Sequence, residues 1–202
     1  VTASPFLAPS LVRLRSAINA AWPNRSKAVD GWIGDAAHQA TQSDHNPDDR
    51  GMVHAIDVTA AGIHVPTVLA WVMGHPYPSY TIHNERIWDR DDKFWPHRYN
   101  GTNPHTDHIH ISIAYTNLAE TGPSPWGGFA WAGVLGQGAT GLDVRELQAY
   151  LNGHFDAVAV DGAFGPLTGA AVRRFQSKAR IAVDGLVGPI TRNALRTLSD
   201  VS

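Results

Sequence analysis

Apolar residues recur at helical spacing over residues 10–22, where Leu11, Leu14, Ile18 and Trp22 fall on one stripe and Pro23 ends the run. Residues 52–59 read as a strand with Val53, Ala55 and Asp57 on one face. Pro66 opens a short helix that runs to Met73, and Gly74 closes it. Residues 80–83 and 85–88 read as short strands paired with each other. Residues 89–103 are polar and aromatic and read as a surface loop with Trp95 and Tyr99 at its rim. Residues 32–40 show no clear period, and residues 43–51 are dense in turn formers. In the strand 108–114 the alternation is strict. Ile109, Ile111 and Ile113 take one face, and His108, His110 and Ser112 take the other.

The pattern changes at residues 119–140, which hold Gly122, Pro123, Pro125, Gly127, Gly128, Gly133, Gly136 and Gly138. Such a stretch marks a domain boundary. Trp126, Phe129 and Trp131 inside it predict that part of the linker packs on a neighbour. Beyond it the segment Val160-Asp161-Gly162-Ala163-Phe164-Gly165-Pro166-Leu167-Thr168 recurs as Val183-Asp184-Gly185-Leu186-Val187-Gly188-Pro189-Ile190-Thr191. Each copy is a turn feeding a helix with proline in its first turn. The first helix is expected to bury Leu167, Ala171, Phe175 and Ala179, and the second Ile190, Ala194 and Leu198. A third, preceding both, shows Val144, Leu147 and Leu151 on one face, with Asp143 and Glu146 spaced like a capping box. The expected organisation is an α+β domain with a small antiparallel sheet over 1–118, a linker over 119–135, and an all-α three-helix bundle over 136–202.

Composition narrows the chemistry. The 202 residues are 43% hydrophobic with a net charge of -2, so a real core is attainable and no general attraction to nucleic acid or an anionic membrane is expected. No run of apolar residues approaches the length of a membrane span. Cysteine is absent, which leaves only nitrogen and oxygen ligands for any metal. The first residues lack a basic-then-apolar signal pattern.

Eleven histidines are many for this length. His105, His108 and His110 crowd together beside Asp107, and His108 and His110 share a strand face from which both imidazoles reach one point. A second group precedes them. His45 lies in the polar turn region, and Asp57 sits on the apolar face of its strand, where an unsatisfied carboxylate would be costly. His45, Asp57 and His110 together read as two imidazoles and one carboxylate with an open fourth position, the composition of a catalytic zinc site.

The pattern Ser43-x-His45, then Ala55-x-Asp57, then His105-x-Asp107-His108-x-His110, resembles the VanY-like zinc D-Ala-D-Ala peptidases. That family is related to lysostaphin-type enzymes and to the hedgehog signalling domain. The resemblance spans roughly residues 10–115. It implies zinc held by His45, Asp57 and His110, Asp107 as general base, and His108 binding or polarising the reacting carbonyl. His105 matches a further active-site histidine of some members. The interval from His45 to Asp57 is longer than the family's, so residues 46–54 read as an insertion, and Val53 stands where a glycine is expected. His54 is thereby a rival ligand. His45 is preferred because His54 alternates away from Asp57.

Residues 136–199 resemble the type 1 peptidoglycan-binding module, through Gly141-x-Asp143-Val144, the two repeated Val-Asp-Gly turns, and Ala171-Val172-x-x-Phe175-Gln176. Together the two resemblances imply a zinc endopeptidase of the endolysin kind. It would cut a peptide bond in the stem or cross-link of peptidoglycan and act at the bacterial wall as a monomer. It would be secreted, or phage-encoded and released by a holin. The alternatives are a D-Ala-D-Ala carboxypeptidase, with Arg86 or Arg98 gripping the free carboxylate, and a zinc N-acetylmuramoyl-L-alanine amidase. Trp95, Tyr99 and Arg86 are candidates for the cleft wall.

Overall fold

The structure is a computed structural model and describes residues 4–34, 42–122, 126, 133–154 and 157–198. Its elements run β1 (Phe6–Leu7), α1 (Pro9–Ala21), β2 (Met52–Val53), β3 (Ala55–Thr59), α2 (Val65–Gly74), β4 (Pro78–His83), β5 (Arg86–Asp89), β6 (Pro96–Arg98), β7 (His108–Ile113), α3 (Asn117–Thr121), α4 (Leu142–His154), α5 (Pro166–Lys178) and α6 (Pro189–Leu198). The result is a mixed α/β chain. It divides into two compact units. The first is drawn from 1–63, 76–91 and 96–126, and the second from 64–75, 92–95 and 127–202. No helix among the described residues is long and apolar enough to cross a membrane.

The first unit is built on a five-stranded antiparallel sheet of order β3-β7-β4-β5-β6. All six residues of β7 are buried, with Ile109, Ile111 and Ile113 in the core and His108 and His110 on the opposite face. Helix α1 opens with proline in its first turn and buries Leu11, Leu14 and Ile18 completely, in contact with β3 and α3. Trp126 joins this core, its indole N–H donating to the Ser10 carbonyl at 2.9 Å and its ring meeting Tyr77 edge-on. That matches the packing expected of the linker tryptophan. Phe129 and Trp131 lie outside the described residues, as do residues 35–40 of the ambiguous stretch.

Two sequence expectations change here. The single strand 52–59 is interrupted at His54: β2 pairs in parallel with β1, whereas β3 joins β7. The His54 backbone N–H donates to the Asp44 carbonyl and its carbonyl accepts from Ile113 N–H. Local alternation continues through such a break and therefore does not reveal it. The loop expected over 89–103 contains β6, paired with β5, and holds Phe94 fully buried while Trp95 stays 40% exposed.

In the second unit α4 packs chiefly on α2. The three helices after residue 136 are present, but this additional helix means that the unit is not a bare three-helix bundle. Val144, Leu147 and Leu151 are buried as expected. Leu167 and Ile190 are not: they are 78% and 71% exposed. The residue after each is turned inward instead, because Thr168 and Thr191 serve a buried glutamine. Gln148 Nε2 donates to Asp161 Oδ1, the Ala163 carbonyl and Thr168 Oγ1, and its Oε1 accepts from Gly162 N–H. Gln176 makes the same contacts with Asp184, Leu186, Thr191 and Gly185. Gly162 and Gly185 hold φ of +78° and +75°, a left-handed conformation that glycine adopts without strain. The sequence repeat is thus a repeated turn, each copy read by one buried amide.

Candidate metal centre

His45, Asp57 and His110 converge. His45 Nε2 lies 3.1 Å from His110 Nδ1 and 3.2 Å from Asp57 Oδ2, and His110 Nδ1 lies 3.1 Å from Asp57 Oδ1. The sheet register places two of the three, since Asp57 and His110 are directly paired across β3 and β7. His45 arrives from the loop before β2. Asp48 holds that loop, accepting from the backbone N–H groups of Arg50 and Met52 at 2.9 Å each.

This spacing fits a tetrahedral ion. Ligand atoms about 2.0–2.1 Å from zinc lie roughly 3.3 Å apart. Two imidazole nitrogens and two carboxylate oxygens face one another here, which is costly unless a cation or shared protons occupy the centre. Burial alone would raise the Asp57 pKa, but hydrogen bonds from His110 and His45 hold it well below the usual carboxylate range. Burial opposes the charged form of His45, yet its hydrogen bond to Asp57 lifts its pKa overall, while burial pushes His110 down.

His54, the rival ligand, is turned elsewhere. It is fully buried, stacks on Tyr115 with ring centroids 3.9 Å apart, and places Nε2 3.0 Å from Glu120 Oε1. Arg50 grips the same carboxylate at 2.8 and 2.9 Å.

The centre lies in a cleft of about 410 Å³ lined by Tyr80, Ile82, Tyr99, Asn103, His105 and His108, among others. His108 Nδ1 is 2.6 Å from Asp107 Oδ1, and its Nε2 points at the centre, 3.8 Å from Asp57 Oδ1. Asp107 itself does not line the cleft, and its side chain is 65% exposed. His105 has a φ of +52° and places Nδ1 2.6 Å from the Asn103 carbonyl. Burial and the nearby His110 lower its pKa to about 4, so it is neutral at pH 7. Of the expected wall residues Tyr99 lines the cleft. Arg86 and Arg98, paired across β5 and β6, line a separate groove of about 530 Å³. Tyr80 and Asn103 carried no motif in the sequence. Only the strand register and the 99–105 loop bring them in.

Against known proteins, residues 140–195 match the peptidoglycan binding domain family, and this part of the chain is a domain of that family. A stretch of 54 residues is 46% identical to the zinc D-Ala-D-Ala carboxypeptidase of Streptomyces albus G. That alignment covers 25% of this chain and lies in the peptidoglycan-binding region. The chain spans about one fifth of that relative's length, 21%. Among solved structures, the SleB N-terminal domain is 43% identical, with 33% of this chain and 93% of that one covered and a TM-score of 0.32. A peptidoglycan-binding protein from Clostridioides difficile in complex with glutamine hydroxamate is 22% identical, with 61% and 94% covered and a TM-score of 0.39.

Proposed function

We propose that the chain is a zinc-dependent peptidoglycan peptidase of the endolysin kind. It would hydrolyse a peptide bond of the stem or cross-link while the domain at 140–195 holds it to the wall. The observation that carries this reading is the convergence of His45, Asp57 and His110 within 3.1–3.2 Å in an open cleft. Zinc held by these three residues would bring the pKa of a water toward neutrality and polarise a carbonyl.

The chain's own groups supply the proton transfers. Asp107 accepts from His108 Nδ1–H, which leaves the Nε2 lone pair facing the centre. Nε2 takes the proton of the attacking water and returns it to the leaving amine, and Asp107 steadies the imidazolium formed between the two steps. The general base thus moves from Asp107, where the resemblance implied it, to His108, which the resemblance had assigned to the carbonyl, because Asp107 does not line the cleft. His105 Nδ1–H donates to the Asn103 carbonyl, so its Nε2 is an acceptor able to orient the water or a substrate amide.

No arginine or lysine is among the described residues lining the cleft. A carboxypeptidase needs a cation for the free terminal carboxylate, so this favours cleavage within a peptide. Mass spectrometry of fragments released from purified walls tests the reading. A new amino terminus on a stem or cross-bridge residue supports it. Free D-alanine identifies a carboxypeptidase, and a new amino terminus on the first alanine an amidase. No release by zinc-loaded protein removes the hydrolase reading.

A further inference from the structure

Asp57 and His110 are fixed by the β3–β7 register, whereas His45 belongs to no strand. Its position depends on what holds the loop before β2, and that loop is tied on both sides of it. On the near side the Asp44 carbonyl accepts from His54 N–H at 3.1 Å, and Asp44 Oδ1 accepts from Tyr115 Oη at 2.8 Å. On the far side Asp48 closes a turn. Its N–H donates to the Met52 carbonyl at 2.9 Å, and its carbonyl accepts from Gly51 N–H at 2.8 Å.

Arg50 joins that turn to the core. Its Nε and one terminal nitrogen donate to Asp48 Oδ2 at 2.9 and 2.6 Å. Its two terminal nitrogens donate to the two carboxylate oxygens of Glu120 at 2.9 and 2.8 Å. Glu120 lies on α3, after the last strand, and its side chain is only 6% exposed. From the buried side His54 Nε2 reaches the same carboxylate at 3.0 Å. Asp48, Arg50 and His54 all belong to the segment that separates the ligands His45 and Asp57.

Burial decides which member of this network matters most. The Arg50 side chain is 55% exposed, so its charge attraction is screened and contributes little by itself. Glu120 is different, because a buried carboxylate that loses a donor is costly. Glu120 therefore keeps Arg50 in place, and the planar fork of Arg50 has donors enough to keep Asp48 as well. A loop already held in its ligating position spares the ion the cost of ordering it, which strengthens binding.

We propose that Glu120 is the brace of the metal centre: through Arg50 and Asp48 it fixes the loop that presents His45. These three are positioning residues, and the proposal rests on the zinc reading of the centre. It also makes Glu120, in the stretch that the sequence reads as linker, part of what the site requires.

Competition of the full-length protein with a chromophoric chelator for zinc tests this. Glu120→Gln, Arg50→Ala and Asp48→Asn should each weaken zinc binding by about threefold to thirtyfold, the range for residues that act on a site through their neighbours. Asp48→Asn keeps an oxygen for the Arg50 and Met52 N–H groups but offers the guanidinium no second acceptor. The Arg50→Ala/Glu120→Gln double variant should lose little more than the worse single one, because the two form one link. Ile18→Val trims the buried face of α1 and touches none of these groups. It should lower the thermal midpoint of the zinc-free protein and leave zinc affinity near wild type. Should Glu120→Gln fail to fold, Arg50→Ala and Asp48→Asn decide the question. Wild-type protein that takes up no zinc overturns the metal reading and the brace with it. Wild-type protein that binds zinc while the variants bind equally well overturns the brace alone. Fully additive losses, or an equal loss in Ile18→Val, also overturn it, since they describe general loosening.

Discussion

Asp107 Oδ1 stands 2.6 Å from His108 Nδ1, with the carboxylate largely in solvent and the imidazole buried between it and the cluster of His45, Asp57 and His110. A carboxylate behind an imidazole fixes the tautomer and stabilises the imidazolium without meeting the substrate.

Asp107→Asn and His108→Ala should therefore act as one unit. Each should lower kcat by about 10²–10⁴ with zinc content unchanged, as expected for loss of general acid–base catalysis. The double variant should be little worse than His108→Ala, because groups that act together are not additive. Steady-state kinetics on soluble wall fragments checks this. Losses that multiply would mean that the two residues act separately.

The metal ligands should separate cleanly from their rival. His45→Ala, Asp57→Ala and His110→Ala should each lower the zinc recovered with purified protein. His54→Ala should keep zinc but lower the thermal midpoint, since it strips a partner from buried Glu120. Elemental analysis beside thermal melts distinguishes the two effects. Zinc lost from His54→Ala with zinc retained by His45→Ala would exchange the two assignments.

Stability in acid should depend on Asp30. Its carboxylate accepts from Arg25 at 2.8 and 2.5 Å and from Thr59 N–H at 2.9 Å. Burial alone would raise its pKa, but these hydrogen bonds hold it below the usual carboxylate value. A depressed folded pKa contributes stability that is fully present above the unfolded value of about 3.9 and is lost as pH falls through the folded one. Asp30→Asn should flatten that part of the stability curve while lowering the plateau at pH 7. Urea unfolding across pH 2.5–7, a window of about this width around the unfolded value, measures both effects. An unchanged acid slope in the variant would show that other carboxylates carry it.

The glutamine-centred turns of the wall-binding part should be costly to lose. Gln176→Ala leaves Thr191, Gly185 and the Leu186 carbonyl without a shared partner, and a loss of about 2–4 kcal/mol is expected. Leu167→Ser, on an exposed residue, should change stability by less than about 0.5 kcal/mol. Denaturant unfolding monitored in the second unit tests the contrast, and sedimentation with purified walls reports whether binding follows. Equal costs for the two substitutions would refute the assigned role of the amide.

Much of this protein is legible in one dimension, because periodicity and turn chemistry are local. The stripe Leu11-Leu14-Ile18 makes α1, the alternation of 108–113 makes β7, and the duplicated Val-Asp-Gly turns mark the two helices that follow them. Residue chemistry also singled out His45, Asp57 and His110. What joins them is not local. Asp57 meets His110 because β3 and β7 pair antiparallel in one register, and a shift of one residue would send their side chains to opposite faces. The same register sets Tyr80 beside Ser112, a pairing that no motif announces. Direction was likewise decided in three dimensions. Asp107 turns outward to His108, and Leu167 and Ile190 face solvent because Thr168 and Thr191 are needed inside. Alternation and helical spacing say which residues share a face. Which neighbour that face meets depends on pairings between segments far apart in the chain, and those are set only when the whole core closes.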